Sequence, residues 1–476
     1  MGTSCSIRQA VAALLREPLA EQRDLGLHVI FVPRWGRPVK WDASILSIGH
    51  AVDQRCAEQT SYEERGRRSR VPVGRRRQVS SEAFAGSRGG NVARIGMGLV
   101  GAGFVGPHHV DAVRRLGFVD IVAVAASSET SARQKAEALG ARRSYGSYQA
   151  LIDDPDVHVV HNATPNYLHA AVTSAALARR KHVVSDKPLA MSAAESKRLV
   201  EEARHAGVIT AVTFNYRGNP LVQHARQAIV RGEIGTPRFI HGYYLQDWLL
   251  NDTDYSWRLD PEKGGASSAL ADIGSHWCDL VEHITGLRIT EVLGEVTTAV
   301  PTRKKPRSSR EAFARAGEED VVIVSVEVED LASVLVRFDN GARGSFSVGQ
   351  VCAGHKNDLV VEVCGSTSSI RWRQEQQNEL WFGHRDRANA VLQKDPSLIC
   401  DDARRYARLP GGHQEAWADA FCNLMRDIYG VIAAGPPHQP LPPAVATFED
   451  GYRANCIVEA ILASARTGGV WTRVAS

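Results

Sequence analysis

The chain has 476 residues, 43% hydrophobic and 23% charged, with a formal net charge of +4; that length is enough for two or three domains with a full core, and the balance reads as that of an ordinary soluble protein. The charge is uneven: residues 1–92 hold 15 Lys/Arg against 9 Asp/Glu and the remainder 42 against 44, so the main body offers no electrostatic reason to bind nucleic acid. No apolar run reaches ~18 residues, which excludes a transmembrane helix.

In chain order, "SIRQAVAALLREPLAEQ" reads as a short helix and "LHVIFVP" as a short strand. "EERGRRSRVPVGRRRQVSSEAFAGSRGGN" reads as a basic, disordered linker. Residues 1–92 are therefore expected to be an extension, disordered or foreign to the natural protein. The arginines at 67–68 and 75–77 lack the apolar segment of an export signal, since the residues after them are polar. Eight cysteines at 5, 56, 278, 352, 364, 400, 422 and 456 show no metal-type spacing; reduced thiols in a cytoplasmic protein are expected.

From Val92 the texture changes. "VARIGMGLVG", "VDIVAVAAS", "VHVVHNATP", "KHVVSDKP" and "ITAVTFNYR" are near-continuous apolar strands, and helical patterns separate them. That alternation predicts a parallel sheet covered on both faces, a Rossmann domain over 93–215. Gly101-x-Gly103-x-x-Gly106 lies between the first strand and a helix, where glycines permit a tight turn and let the backbone approach a pyrophosphate held on helix amides. The second strand ends on Ser127 and Ser128 rather than on an acid that would grip a ribose 2′-hydroxyl. The cofactor is expected to be NAD or NADP, with a slight lean to NADP.

Beyond about residue 236, short strands succeed one another: 321–329, 332–338, 344–350, 359–364, 369–373 and 379–382. Asn340-Gly341 marks a hairpin. An α+β domain with a large, mostly antiparallel open sheet is expected over 216–444, then a C-terminal helix and tail over 445–476. The segment 301–320 reads as a charged surface excursion. Asp272 and His276 are four apart, one helical turn, so the carboxylate either orients the imidazole or simply caps the helix. Asp186-Lys187-Pro188 ends the fifth strand.

Together "GLVGAGFVGPHH", "NATPNYLHA", "SDKPLA", "FNYRGNP" and "GGASSALADIGSHWCDL" resemble the Gfo/Idh/MocA oxidoreductases, which include glucose–fructose oxidoreductase and inositol dehydrogenases. "YYLQDWLLNDTDYSWR", 243–258, looks most like levoglucosan dehydrogenase-type members. The family's Glu-Lys-Pro motif stands here as Asp186-Lys187-Pro188, one methylene shorter at the acid. The resemblance implies a cis bond at Lys187–Pro188 and catalytic roles for Lys187, Asp272 and His276. It also implies dinucleotide contacts from Gly101, Gly103, Phe104, Val105, Gly106, Ser127, Ser128, Thr164, Asn166, His169, Asp186 and Lys187. Tyr216, Arg217, Gln246, Asp247, Trp257 and Arg258 are the expected substrate residues. The implied reaction interconverts a secondary alcohol and a ketone on a sugar, anhydrosugar or cyclitol. His276, with a pKa near neutral, would be the base and Lys187 would stabilise alkoxide charge. No metal is required; His108, His109, His161 and His169 read as structural or cofactor-adjacent. Hydrolysis of a glycoside through transient oxidation and a non-enzymatic dinucleotide sensor are the alternatives. Neither nucleic acid nor membrane is expected as a partner, and a homodimer or homotetramer built on the C-terminal sheet is.

Overall fold

The computed structural model describes residues 94–307 and 321–475. The expectations for residues 1–92, and for 308–320 of the charged excursion, lie outside the described residues.

The first sheet comprises β1 (Ile95–Val100), β2 (Val119–Ala125), β3 (Arg143–Tyr145), β4 (Val159–Asn162), β5 (His182–Ser185) and β6 (Thr210–Val212). Its order is β3-β2-β1-β4-β5-β6 and every pair is parallel. The connecting helices are α1 (Gly106–Arg114), α2 (Glu129–Ala138), α3 (Tyr148–Asp153), α4 (Asn166–Ala178) and α5 (Ala193–Ala206). β1, β2 and β4 are buried almost throughout, as a sheet covered on both faces requires. This is the doubly wound arrangement in which ligands bind at the carboxyl ends of the strands.

α6 (Pro220–Val230) leads into β7 (Pro237–Leu245), then α7 (Ser275–Thr285) into β8 (Ile289–Thr297). The remaining strands are β9 (Thr302–Pro306), β10 (Val321–Ser325), β11 (Leu331–Phe338), β12 (Arg343–Gly349), β13 (Asp358–Gly365), β14 (Ser368–Arg373), β15 (Glu379–His384), β16 (Ala390–Gln393) and β17 (Thr472–Arg473). They make a nine-stranded sheet ordered β16-β15-β14-β13-β7-β12-β11-β8-β17, and β9 pairs with β10 separately. The large sheet is antiparallel except at its centre, where β7 and β12 run parallel. Alternating residues such as Val334, Val336, Phe346, Val361 and Val363 form one core with Leu221 of α6 and Leu280 of α7. The Asn340-Gly341 hairpin joins β11 to β12: Gly341 adopts φ +87° and the Asn340 carboxamide accepts from the Ala342 amide at 2.9 Å.

Three boundaries differ from the sequence expectations. The last helices are α8 (Trp417–Ala434) and α9 (Phe448–Arg466). Phe421, Leu424, Met425 and Tyr429 of α8 join the core formed by Leu99, Val110 and Val124, while Asn423 of the same helix donates to the Gly218 carbonyl at 3.1 Å, so this helix packs on both the dinucleotide fold and the turn that follows it. The strand expected to reach Glu329 ends at Ser325. Finally, 302–306 is a strand, and Arg303, read as solvated charge, is fully buried: its guanidinium donates to the carbonyls of Leu249, Asn251 and Asp254 and pairs with Asp330. A buried charge persists when its neighbours satisfy it. The six described cysteines are unpaired, and no helix of the described residues is long and apolar enough to cross a membrane.

Candidate active site

The glycine loop closes β1 onto α1. Gly101 sits at φ +86°, and a Cβ there would lie 2.5 Å from the Ala163 carbonyl oxygen, so only glycine fits. At Gly103 the same Cβ meets nothing within 4 Å, which leaves the backbone open to a large group. Val105 is the N-cap of α1 and brings no side-chain hydrogen bond to the first turn, so that helix end suits a pyrophosphate. Phe104 is half exposed and meets His108 edge-on. At the tip of β2, Ser127 is exposed and the Ser128 hydroxyl caps α2 by accepting from the Ser131 amide at 3.2 Å.

Two other expected cofactor residues serve the scaffold. The Asn166 amide donates to the Gly264 carbonyl at 2.9 Å. The buried His169 ring lies between the carbonyls of Pro188, at 2.6 Å, and Thr164, at 2.8 Å, and donates to one of them when neutral. It thus ties the turn after β4 to the turn after β5. The Lys187–Pro188 peptide is cis. Asp186 is bonded to the Thr213 hydroxyl and faces the His109 ring at 3.6 Å. Burial works to raise its pKa, but the facing His109 ring and the Thr213 hydroxyl outweigh it and hold the carboxyl at about 2.

Lys187 reaches across from β5. Its ammonium donates to the Asp272 carboxylate at 2.6 Å and to the Asp272 carbonyl at 2.7 Å. Asp272 lies in a π-helical turn, Leu270–Gly274, that runs into α7. Such turns expose backbone groups and recur at functional sites. The turn is held by buried Glu329, whose carboxylate accepts from the Ser267 hydroxyl and the amides of Ser268 and Leu270 at 2.7, 3.1 and 2.9 Å. The other Asp272 oxygen accepts from Gln350 at 2.8 Å, and Arg258 stands 3.3 Å from the first. Burial again opposes ionisation, but Lys187 and Arg258 outweigh it and keep the Asp272 carboxyl well below the usual carboxylate range.

Of the roles left open for Asp272, the structure shows neither a hydrogen bond to the His276 imidazole nor a helix cap: its carboxylate pairs with Lys187. The His276 ring is 8% exposed and lies among Phe214, Tyr216 and Tyr244, at centroid distances of 5.5, 5.1 and 6.2 Å. Burial first, then the Lys187 charge, lowers its pKa to about 3. This departs from the expected pKa near neutral: the free imidazole is neutral across the physiological range.

Beside it lies a polar cluster. The hydroxyls of Tyr216 and Tyr244 are 2.6 Å apart, and the Tyr244 hydroxyl and the Gln246 amide both donate to the Asn357 carboxamide oxygen, at 2.6 and 2.8 Å. Burial pushes the Tyr216 phenol up to about 12, so it stays protonated. Trp257 lies beneath the Arg258 guanidinium at 4.6 Å. Sequence reading missed Gln350, Asn357 and Glu329; the one available signal was a polar residue, Gln350, closing an apolar alternating strand.

Arg217 and Asp247 do not join this cluster. Arg217 is buried in a bidentate pair with Asp279, at 2.5 and 2.9 Å, with Asp450 at 3.4 Å. Asp247 bonds Lys356 and the Gly354 amide at 2.5 and 3.2 Å. Arg217→Met should leave Asp279 and Asp450 unpaired and cost about 3–5 kcal/mol. Urea unfolding should show it, with KM for the substrate little changed; normal stability with a large rise in KM would instead return Arg217 to the substrate.

Residues 95–214 match the profile of the oxidoreductase family with an NAD-binding Rossmann fold, and residues 222–371 match the GFO/IDH/MocA C-terminal domain. Levoglucosan dehydrogenase of Pseudarthrobacter phenanthrenivorans is 32% identical over 394 residues, 78% of this chain and 96% of that protein. A solved levoglucosan dehydrogenase in complex with NADH and levoglucosan superposes with a TM-score of 0.71 at 28% identity, covering 80% of this chain and all of that one. An inositol dehydrogenase homologue from Azotobacter vinelandii complexed with NAD+ gives 0.70 at 27%, covering 80% and 97%. The sequence-based lean to NADP finds no support in these relatives. Both halves of the fold, the glycine turn and the Lys187–Asp272 cluster agree: the chain belongs to the GFO/IDH/MocA family of NAD-binding oxidoreductases.

Proposed function

We propose that this chain is an NAD(H)-dependent dehydrogenase that interconverts a secondary alcohol and a ketone on a sugar, anhydrosugar or cyclitol. The observation that carries this reading is the Lys187 ammonium, pinned on Asp272 and standing with a neutral His276 beside a cluster of phenols and amides. Oxidising a secondary alcohol requires its O–H proton to leave as the C–H hydride departs. The bound nicotinamide supplies the hydride acceptor. His276 takes the proton, and Lys187 stabilises negative charge on the oxygen. Asp272 is held ionised by Lys187, Arg258 and Gln350, so its part is to fix the ammonium rather than to carry the proton. Tyr216, Tyr244, Gln246 and Asn357 provide hydroxyls and amides suited to several substrate hydroxyls, and Arg258, stacked on Trp257, stands beside Asp272. NAD(H) is favoured because the solved relatives hold NADH or NAD+.

A panel of anhydrosugars, sugars and inositols, assayed by nicotinamide absorbance with both cofactors, tests this reading. Cofactor reduction with at least one polyol, faster with NAD+, is expected. Release of free aglycone from glycosides without net cofactor reduction would favour the hydrolytic alternative, and no reaction with any member would sink both.

We also propose that copies of the chain pair through the outer face of the large sheet. Phe239, Leu335 and Val391 are exposed there, on the side away from α6 and α7. Exposed apolar sheet of this kind favours a partner. Light scattering at micromolar concentration should give a dimer or tetramer, and a monomer would contradict it.

A further inference from the structure

On that outer face one cluster has a chemistry of its own. β13 pairs antiparallel with β7, which sets Glu362 directly opposite His241 and places Cys364 two residues on, on the same face. The His241 Nε2 lies 3.8 Å from Glu362 Oε1, and the Cys364 Sγ lies 3.9 Å from that same oxygen. All three potential ligand atoms are within 4.8 Å of one another. A tetrahedral zinc ion with bonds of ~2.0–2.3 Å separates nitrogen from oxygen by about 3.3 Å and sulfur from oxygen by about 3.6 Å. The nitrogen and the sulfur therefore need to approach the carboxylate oxygen by roughly half an ångström or less, and each other by about 1.2 Å at most. All three are partly exposed, so the movement is not blocked by close packing. Arg371 stands 3.6 Å from the other Glu362 oxygen, Oε2, leaving Oε1 to a cation.

We propose that His241, Glu362 and Cys364 form a binding site for a borderline-soft divalent cation of the zinc type. An imidazole, a carboxylate and a thiolate together suit Zn²⁺ or Co²⁺ and disfavour Mg²⁺ and Ca²⁺, which take oxygen donors. The three ligands rise from one sheet face, so the fourth corner points away from the sheet, into the face through which copies of the chain are proposed to pair. The cation ties the two central strands β7 and β13 together. It is remote in role from the reaction: Asp272 and His276 lie on the opposite side of the sheet, with α7. No sequence motif announces the site, because strand register rather than chain spacing unites residues 241 and 362–364.

The test uses the full chain and Co²⁺ alone, under reducing conditions. One equivalent should bind with a near-ultraviolet sulfur-to-cobalt charge-transfer band, and Zn²⁺ should displace it. Cys364→Ser should abolish the band, and His241→Ala should weaken Co²⁺ binding at least tenfold. Absence of the band in the wild type, its persistence in C364S, or unchanged affinity in H241A would each overturn the proposal. The readout is spectroscopic and stands apart from any turnover of a sugar.

Discussion

His276→Ala is expected to lower kcat by about 10²–10⁴-fold, the range that proton transfer by a positioned group contributes. The ring lies among Phe214, Tyr216 and Tyr244 and makes no hydrogen bond with any described residue, so alanine leaves a cavity but strands no polar partner. Folding and dinucleotide binding should survive. The sign of the pKa shift fixes the pH behaviour. A histidine whose pKa is lowered to about 3 is neutral above that value, so no limb near neutral pH belongs to it. The kcat/KM profile of the variant should keep the wild-type shape between about pH 5 and 8, at reduced height. Near-normal kcat in H276A would reduce the imidazole to a substrate contact.

Lys187→Ala is expected to cost kcat about 10²–10³-fold, as removal of one donor to a developing oxyanion does. Its ammonium is fixed by two contacts to Asp272, from which a substrate oxygen would find it already oriented. The variant leaves the Asp272 carboxylate with Arg258 and Gln350, so circular dichroism and the melting temperature should change little. Lys187→Arg should not restore the rate, since a planar fork cannot replace a compact point charge at this strand end. The double variant with H276A should lose less than the product of the single losses, because the two groups serve one step. Full rescue by arginine would mean that only charge, and not position, matters at residue 187.

Periodicity and local turn chemistry made part of this fold legible in the sequence. The parallel Val/Ile strands, the glycine turn before α1 and the Asn340-Gly341 hairpin are local signals, and all three stand where the residues place them. Contacts made by register and long-range packing were hidden. The helical spacing of Asp272 and His276 suggested a pair, but the π-helical turn hands the carboxylate to Lys187, 85 residues away in sequence. Tyr216 and Arg217 are neighbours in one turn with opposite destinations, the phenol to the site and the guanidinium to Asp279. Arg303 looked like solvated charge because its partners, the carbonyls of the 249–254 loop and Asp330, lie far off in the chain.

The central proposal is that a hydride from a secondary carbon of a polyol would pass to the nicotinamide of a dinucleotide whose pyrophosphate the glycine loop would hold, with Lys187 and His276 serving the alcohol oxygen. Transfer of label tests it most directly: the full chain is incubated with NAD+ and polyols deuterated at their ring carbons, and the cofactor is analysed by mass spectrometry. One deuterium in the reduced nicotinamide, in the wild type and at strongly reduced rate in K187A and H276A, is the expected result. A chain that binds the dinucleotide yet transfers no label from any polyol would contradict it.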